Sequence, residues 1–384
     1  MRNSFRRAGL RSLWTAAASM VASGFFVLSA ASPCAAQSGL GLWVANSGGP
    51  TVLEFPLQQT QKSGISDPTP LINKSGSFTA PQDTLFDSSG NLWVVDGGNT
   101  TTATGQGVFE FSQSQLKNLS KDPAPDPIFA ITNSNGVPGF VFPQFGVFDK
   151  KGNLYVADSG ADLILVFTAK QLTSSSGAGL TPTAVFKISD SKAVLGEAFD
   201  RKGNLFVADN GDTQIFEISQ KHIPASGGTA GSPTSVTADV VLSSNGNATF
   251  ASIDGPWGLV FDKKGNLWFS NEGVILNSGP SVVEFAADVL YTSGTPTPEV
   301  QLTATTLSNG LASISDPQGI SINLLGDLAI ANDTNNTVAE FGPAQLEKTG
   351  TPVPKTFLAG SNTTLNAPTG LIFGPNIQPS KSKH

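Results

Sequence analysis

Two carboxylates, three amides and one indole stand at comparable places along this chain: Asp83, Glu197, Gln82, Gln144, Gln318 and Trp257. Carboxylates suit general acid–base work or cation binding. Amides suit hydrogen bonding to an uncharged polar ligand, and an indole offers a face for stacking. Each lies a few residues before a turn. Glu197 stands three residues before Asp200, in a slot that elsewhere holds Thr84, Gly146, Leu259, Ile320 and Leu371. One carboxylate in a mostly apolar slot is expected to be partly desolvated, with a raised pKa or a partner. It then acts as a general acid or base or as a cation ligand. The alternative is a glutamate bonded to nearby backbone or to a glutamine. Asp83 takes a neighbouring slot that holds glycine in four other units and Phe145 in one, and suits pairing with a polar ligand. Trp257 reads as a stacking platform or a channel plug. Asp254 and Asp316 lie just before prolines and read as turn caps.

The elements that position these residues follow from a repeat. GLWVAN (41–46), GNLWVVD (90–96), GNLYVAD (152–158), GNLFVAD (203–209), GNLWFSN (265–271) and GDLAIAN (326–332) align, with their leucines 50–62 residues apart. Ahead of most copies comes an apolar strand and an acidic turn such as VFDKKGN, which predicts a tight hairpin with glycine in the left-handed region. After each copy comes a third strand such as GVFEF, and then a fourth such as PIFAIT at 127–132. Four short antiparallel strands per unit predict a β-propeller blade. The first unit lacks its first strand, and APTGLIFGP at 367–375 supplies an unpaired one. The fold expected is therefore all-β, a six-bladed propeller over 37–375 in which N- and C-terminal strands share one blade, protecting the edges.

The repeat also sorts structural residues from exceptional ones. Trp43, Trp93, Tyr155, Phe206 and Trp268 share one slot and read as core between blades. Asn46, Asp96, Asp158, Asp209, Asn271 and Asn332 end the second strands. Such a ring suggests calcium, but Asx residues at strand ends more often bond their own turn. Glu54, Glu110, Glu217, Glu284 and Glu340 recur in the third strand and read as architectural. Chain direction places the loops before strand one and after strand two on one face, the ligand face. The Asp-x-x-Gly turns and the Gln-Leu connectors fall on the other. His222 sits in a connector slot and His384 ends a polar tail, 376–384. That excludes a His–His or His–Cys zinc set and a Ser–His–Asp triad on the ligand face.

The first 36 residues combine Arg2, Arg6, Arg7 and Arg11 with an apolar stretch and end Cys34-Ala35-Ala36, the pattern of a cleaved signal peptide. The mature protein is expected to be periplasmic or secreted, cysteine-free and monomeric. It keeps 18 basic side chains against 29 acidic, a net charge near −11, which argues against nucleic acid or an anionic membrane as partner.

PWGLVFDKKGNLWFSN (256–271) and PQFGVFDKKGNLYVAD (143–158) resemble the NHL repeat. That resemblance covers nearly the whole mature chain and implies a propeller; similar propellers include protein-binding modules, lactonases of the gluconolactonase type, and lyases. Leu195-Gly196-Glu197 resembles the Leu-Gly-Glu-Gly-Pro metal-binding segment of the lactonases, but with Ala198-Phe199 following. Gln318-Gly319 and Trp257-Gly258 replace that family's Asn-Gly and Asp-Gly pairs. Asp83 and Glu197 are left as candidate ligands for calcium or another divalent cation. The stretch 255–273 is similar to streptogramin lyases, with Trp257 where they carry a histidine. The expected function is a binding or scaffold protein whose ligand face takes a small polar molecule, glycan or protein. The alternative is a metal-assisted hydrolase or lyase using Glu197 and Asp83.

Overall fold

The computed structural model describes residues 41–99, 101–102, 104–133, 139–173, 177, 180–246 and 251–374. The expected signal peptide with Cys34, and the tail with His384, lie outside them. The described chain is all-β: six sheets form six blades in a ring. Their innermost strands are Pro368–Gly374, Pro81–Phe86, Pro143–Phe148, Val194–Phe199, Pro256–Phe261 and Pro317–Ile322, in blades one to six. In blade one, Pro368–Gly374 pairs antiparallel with Gly41–Asn46, so residues from both ends of the described chain share that sheet. No helix among the described residues is long and apolar enough to cross a membrane.

The turns form as the sequence suggests. In the second blade one Asp87 oxygen accepts the amides of Ser89 and Asn91, while Gly90 sits at φ +78°. Asp149, Asp200 and Asp262 repeat this arrangement, with Gly152, Gly203 and Gly265 in the left-handed region.

Two expectations need correction. Blades three and six carry a fifth strand, and it runs parallel: Thr234–Val236 joins Ala184–Ile188, and Gly64–Ser66 joins Thr356–Leu358. Each added strand comes from the connector of the next blade. Single parallel bridges, Leu242 to Gly294 and Leu302 to Gly350, do the same for blades four and five. Outer edges are thus covered by a neighbour's connector, which removes an aggregation-prone surface. Secondly, the strand-end Asx residues bond less to their own turns than to the loop leading into the innermost strand. Asp96 accepts the amides of Thr79 and Ala80 as well as Gly98, and Asp158 those of Val141 and Phe142 as well as Ala161. Antiparallel pairing explains this: the end of strand two lies beside the start of strand one, where free amides arrive.

The ring is set by close backbone contact at one level of the innermost strands. A Cβ on Gly196 would lie 2.1 Å from the Trp257 carbonyl oxygen, one on Gly258 2.8 Å from that of Gln318, and one on Gly319 2.5 Å from that of Thr369. Backbone cannot yield as a flexible side chain can. Gly196→Ala is therefore expected to destabilise the fold by about 3 kcal/mol or more, measured by urea denaturation; unchanged stability would show that the strands tolerate separation.

Candidate functional site

At that same level, blades two and three break the glycine rule, with Asp83 and Phe145. Both line an axial cavity of about 360 Å³ between the innermost strands. A β-bulge near the start of each of these two strands and those bearing Glu197, Trp257 and Gln318 shifts the register there, which re-aims side chains.

Asp83 is held firmly. One oxygen accepts its neighbour Thr84's amide at 2.8 Å and the other the Gly146 amide of the third blade at 3.2 Å. Gly370 of the first blade presses against it, since a Cβ there would lie 2.2 Å from the carboxylate. Burial nevertheless pushes its pKa to about 8, more than the two amides lower it. Glu197 lines the same cavity from the fourth blade, 6% exposed, and neither carboxylate oxygen has a hydrogen-bond partner. Its pKa is raised well above the usual range, first by burial and then by the charge of Asp83. The two carboxyls thus repel each other across the axis, with Gly146 supplying no side chain between them. A glutamate bonded to nearby backbone or to a glutamine is not what forms.

The other candidates fall into different roles. Gln82 donates to the Ser47 hydroxyl at 3.0 Å and the Ala80 carbonyl, and Gln144 accepts from Ser159. Gln318 is buried with its side-chain oxygen unpartnered. The three amides do not line the axial cavity with the carboxyls. Trp257 is half-buried; its indole donates to Glu272 at 3.3 Å, and its ring meets Phe145 edge to face at 6.4 Å. Rings from blades three and five meet only near the axis, so this pair occupies the ligand-face end of the channel. Asp254 does not cap its own turn but accepts the amides of Leu276 and Ser278, 22 and 24 residues on, in the loop that follows Leu267–Asn271. Asp316 accepts from the Thr334 hydroxyl and keeps one oxygen unpartnered. His222 pairs with Asp239 at 2.7 Å in its connector.

Asp83 and Glu197 are the two candidate cation ligands on this cavity. Calcium takes six to eight oxygens, and among the described residues no three His, Cys, Asp or Glu side chains converge. What sequence reasoning missed is the basic lining of the opposite mouth, from Lys150, Arg201, Lys202, Lys263 and Lys264. Each pair reads as an ordinary solvated hairpin; only the ring brings them together.

No protein-family model and no curated protein matches the sequence. Solved structures do. A functionally unknown protein from Desulfotomaculum acetoxidans is similar over 88% of this chain and 89% of its own, at 14% identity and TM-score 0.52. A proposed 6-phosphogluconolactonase from Bacteroides fragilis is similar over 85% and 99%, at 15% identity and TM-score 0.46. Virginiamycin B lyase from Staphylococcus aureus is similar over 80% and 83%, at 12% identity and TM-score 0.45. What is shared is the propeller fold.

The buried carboxyls make stability fall as pH rises. Burial raises Asp83 and Glu54 to about 8, and Glu110, Glu217 and Glu340 to about 7. Between their ordinary values, 3.8 and 4.5, and these raised ones, the folded chain binds more protons than the unfolded chain. Unfolding free energy therefore decreases with pH across that window. Glu197→Gln removes one such group. It is expected to raise the melting temperature at about pH 8 by a few degrees and to change it little at about pH 5. Thermal melts at both values check this, and an equal shift at both would overturn it.

Proposed function

We propose that this chain is an extracytoplasmic binding protein whose axial channel takes a small polar ligand bearing a positive charge, met by Asp83 and Glu197. The observation that carries this reading is Glu197: both of its oxygens are buried without a partner beside a second carboxyl. An unsatisfied buried polar group is costly, and two facing carboxylates cannot both stay charged. An alkylammonium group would relieve both penalties, giving three donors and one compensating charge. The apolar wall around the pair, including Leu259, Ile320 and Leu371, suits the hydrocarbon part of such a ligand. A metal-assisted hydrolase has less support, since among the described residues no third His, Cys, Asp or Glu joins the pair.

Binding on this reading displaces protons, because burial raises both carboxyls and so favours the protonated forms of the empty pair. Affinity for a probe such as butylamine should therefore rise from about pH 6 to about pH 9, with proton release seen as a buffer-dependent heat in calorimetry. Glu197→Gln should weaken it roughly tenfold. Butylamine that fails to bind, or binds equally well to folded Glu197→Gln protein, would overturn the reading. Stoichiometric calcium binding lost in the same variant would instead restore the metal site.

A further inference from the structure

We infer that the mouth of the channel on the turn face is a second binding site, for a small anion carried on an apolar body. The innermost strands of blades two to five end there in Asp-x-x-Gly turns, and that of blade six in Asn323-Leu324-Leu325-Gly326. The two middle positions are Ser88-Ser89 in blade two, Lys150-Lys151, Arg201-Lys202 and Lys263-Lys264 in blades three to five, and Leu324-Leu325 in blade six. The turn itself uses the Asp side chain and the Gly conformation, so the side chains of its two middle residues are not fixed by the hairpin. Three consecutive blades nevertheless place cations there, in a chain of net charge −7. Five of those cations line a cavity of about 550 Å³.

Their positions are organised. Lys150 donates to the Arg201 carbonyl, Arg201 to the Lys263 carbonyl, and Lys263 to the Leu324 carbonyl. The belt holds three cations around the rim, each with further donor hydrogens. Lys202 and Lys264 stand outside the belt, and Lys202 lies over the Tyr291 ring at 3.7 Å. The acids of the same wall are engaged elsewhere. Asp200 accepts the amides of Lys202 and Asn204 and the Tyr291 hydroxyl, and Asp262 accepts the amides of Lys264 and Asn266. None of the five cations is in an ion pair with a described carboxylate. Glu217 and Glu284, which Lys202 and Lys264 influence, are raised by burial.

The floor is apolar: Phe148, Phe199, Phe261 and Ile322 close the inner end, with Ala287 and Tyr291 at the side. Charge without an apolar floor would suit free phosphate or a polyanion. A cationic rim over aromatic rings suits an aryl or acyl phosphate or carboxylate, its head on the rim and its body inside. This site does not rest on the reading given to Asp83 and Glu197, which lie deeper along the axis.

Naphthyl phosphate is the probe, titrated calorimetrically at low ionic strength with inorganic phosphate and naphthol as its two halves. We expect one molecule per chain, bound at least about tenfold tighter than either half and weakening with salt. Arg201→Glu with Lys263→Glu should abolish measurable binding. Lys202→Ala with Lys264→Ala, which leaves the belt intact, should weaken it roughly tenfold. Glu197→Gln should bind the probe as the parent does, which separates this site from the channel. Absence of binding, inorganic phosphate binding as tightly as the ester, or undiminished binding in folded Lys202→Ala/Lys264→Ala protein would each overturn the inference.

Discussion

The innermost strands of this propeller meet backbone to backbone. Gly196, Gly258 and Gly319 each face a carbonyl oxygen of the next blade at a distance that leaves no room for a Cβ. This contact sets how tightly the ring is drawn and hence how narrow its axis is. It also explains where chemistry appears. Only where the rule lapses, at Asp83 and Phe145, do side chains reach the axis at that level. One is a carboxylate and the other a ring. A narrow axis then forces groups from non-adjacent blades together: Asp83 against Glu197, Phe145 against Trp257.

Away from the axis, the blades satisfy their backbone with unusual economy of means. A single Asx at the end of each second strand gathers the loop that enters the first. Of the recurring third-strand glutamates, Glu110 meets Asn91 of its hairpin at 2.8 Å, Glu284 meets Asn266 at 2.6 Å, and Glu340 meets Lys355 at 3.0 Å. Burial raises these three acids, yet each makes a hydrogen bond, so they behave as framework. Glu197 differs in having no bond at all. Glu54 also keeps a buried oxygen unpartnered, so what sets Glu197 apart is that both of its oxygens are unpartnered and a second carboxyl, Asp83, acts on it.

The fold was legible because it is local and repeated. Asp-x-x-Gly-Asn spells a hairpin within five residues, and the alternation around it spells strands. The Asx bonds were misjudged because their partners lie 16 or 17 residues upstream, brought close by register rather than by sequence. Glu197 was visible as an exception to its slot, but its lack of a partner depended on which residues of distant blades reach the axis. The interlocking connectors were invisible for a similar reason. Gly64–Ser66 belongs by sequence to blade one and by pairing to blade six. The basic turns were legible one at a time and silent about their assembly.

That interlocking has a consequence for how such a molecule comes apart. In an open stack of repeats the terminal units fray first, each having one neighbour to lose. Here the inner strands of every blade touch two neighbours, and connectors stitch outer strands to the blade ahead. No unit occupies a terminal place, so none can melt at a discount. Partial opening would cost two interfaces wherever it began, and a stitch as well in blades three to six, which favours an all-or-none transition. A protein of this length then behaves, thermodynamically, more like a small single domain than like an array.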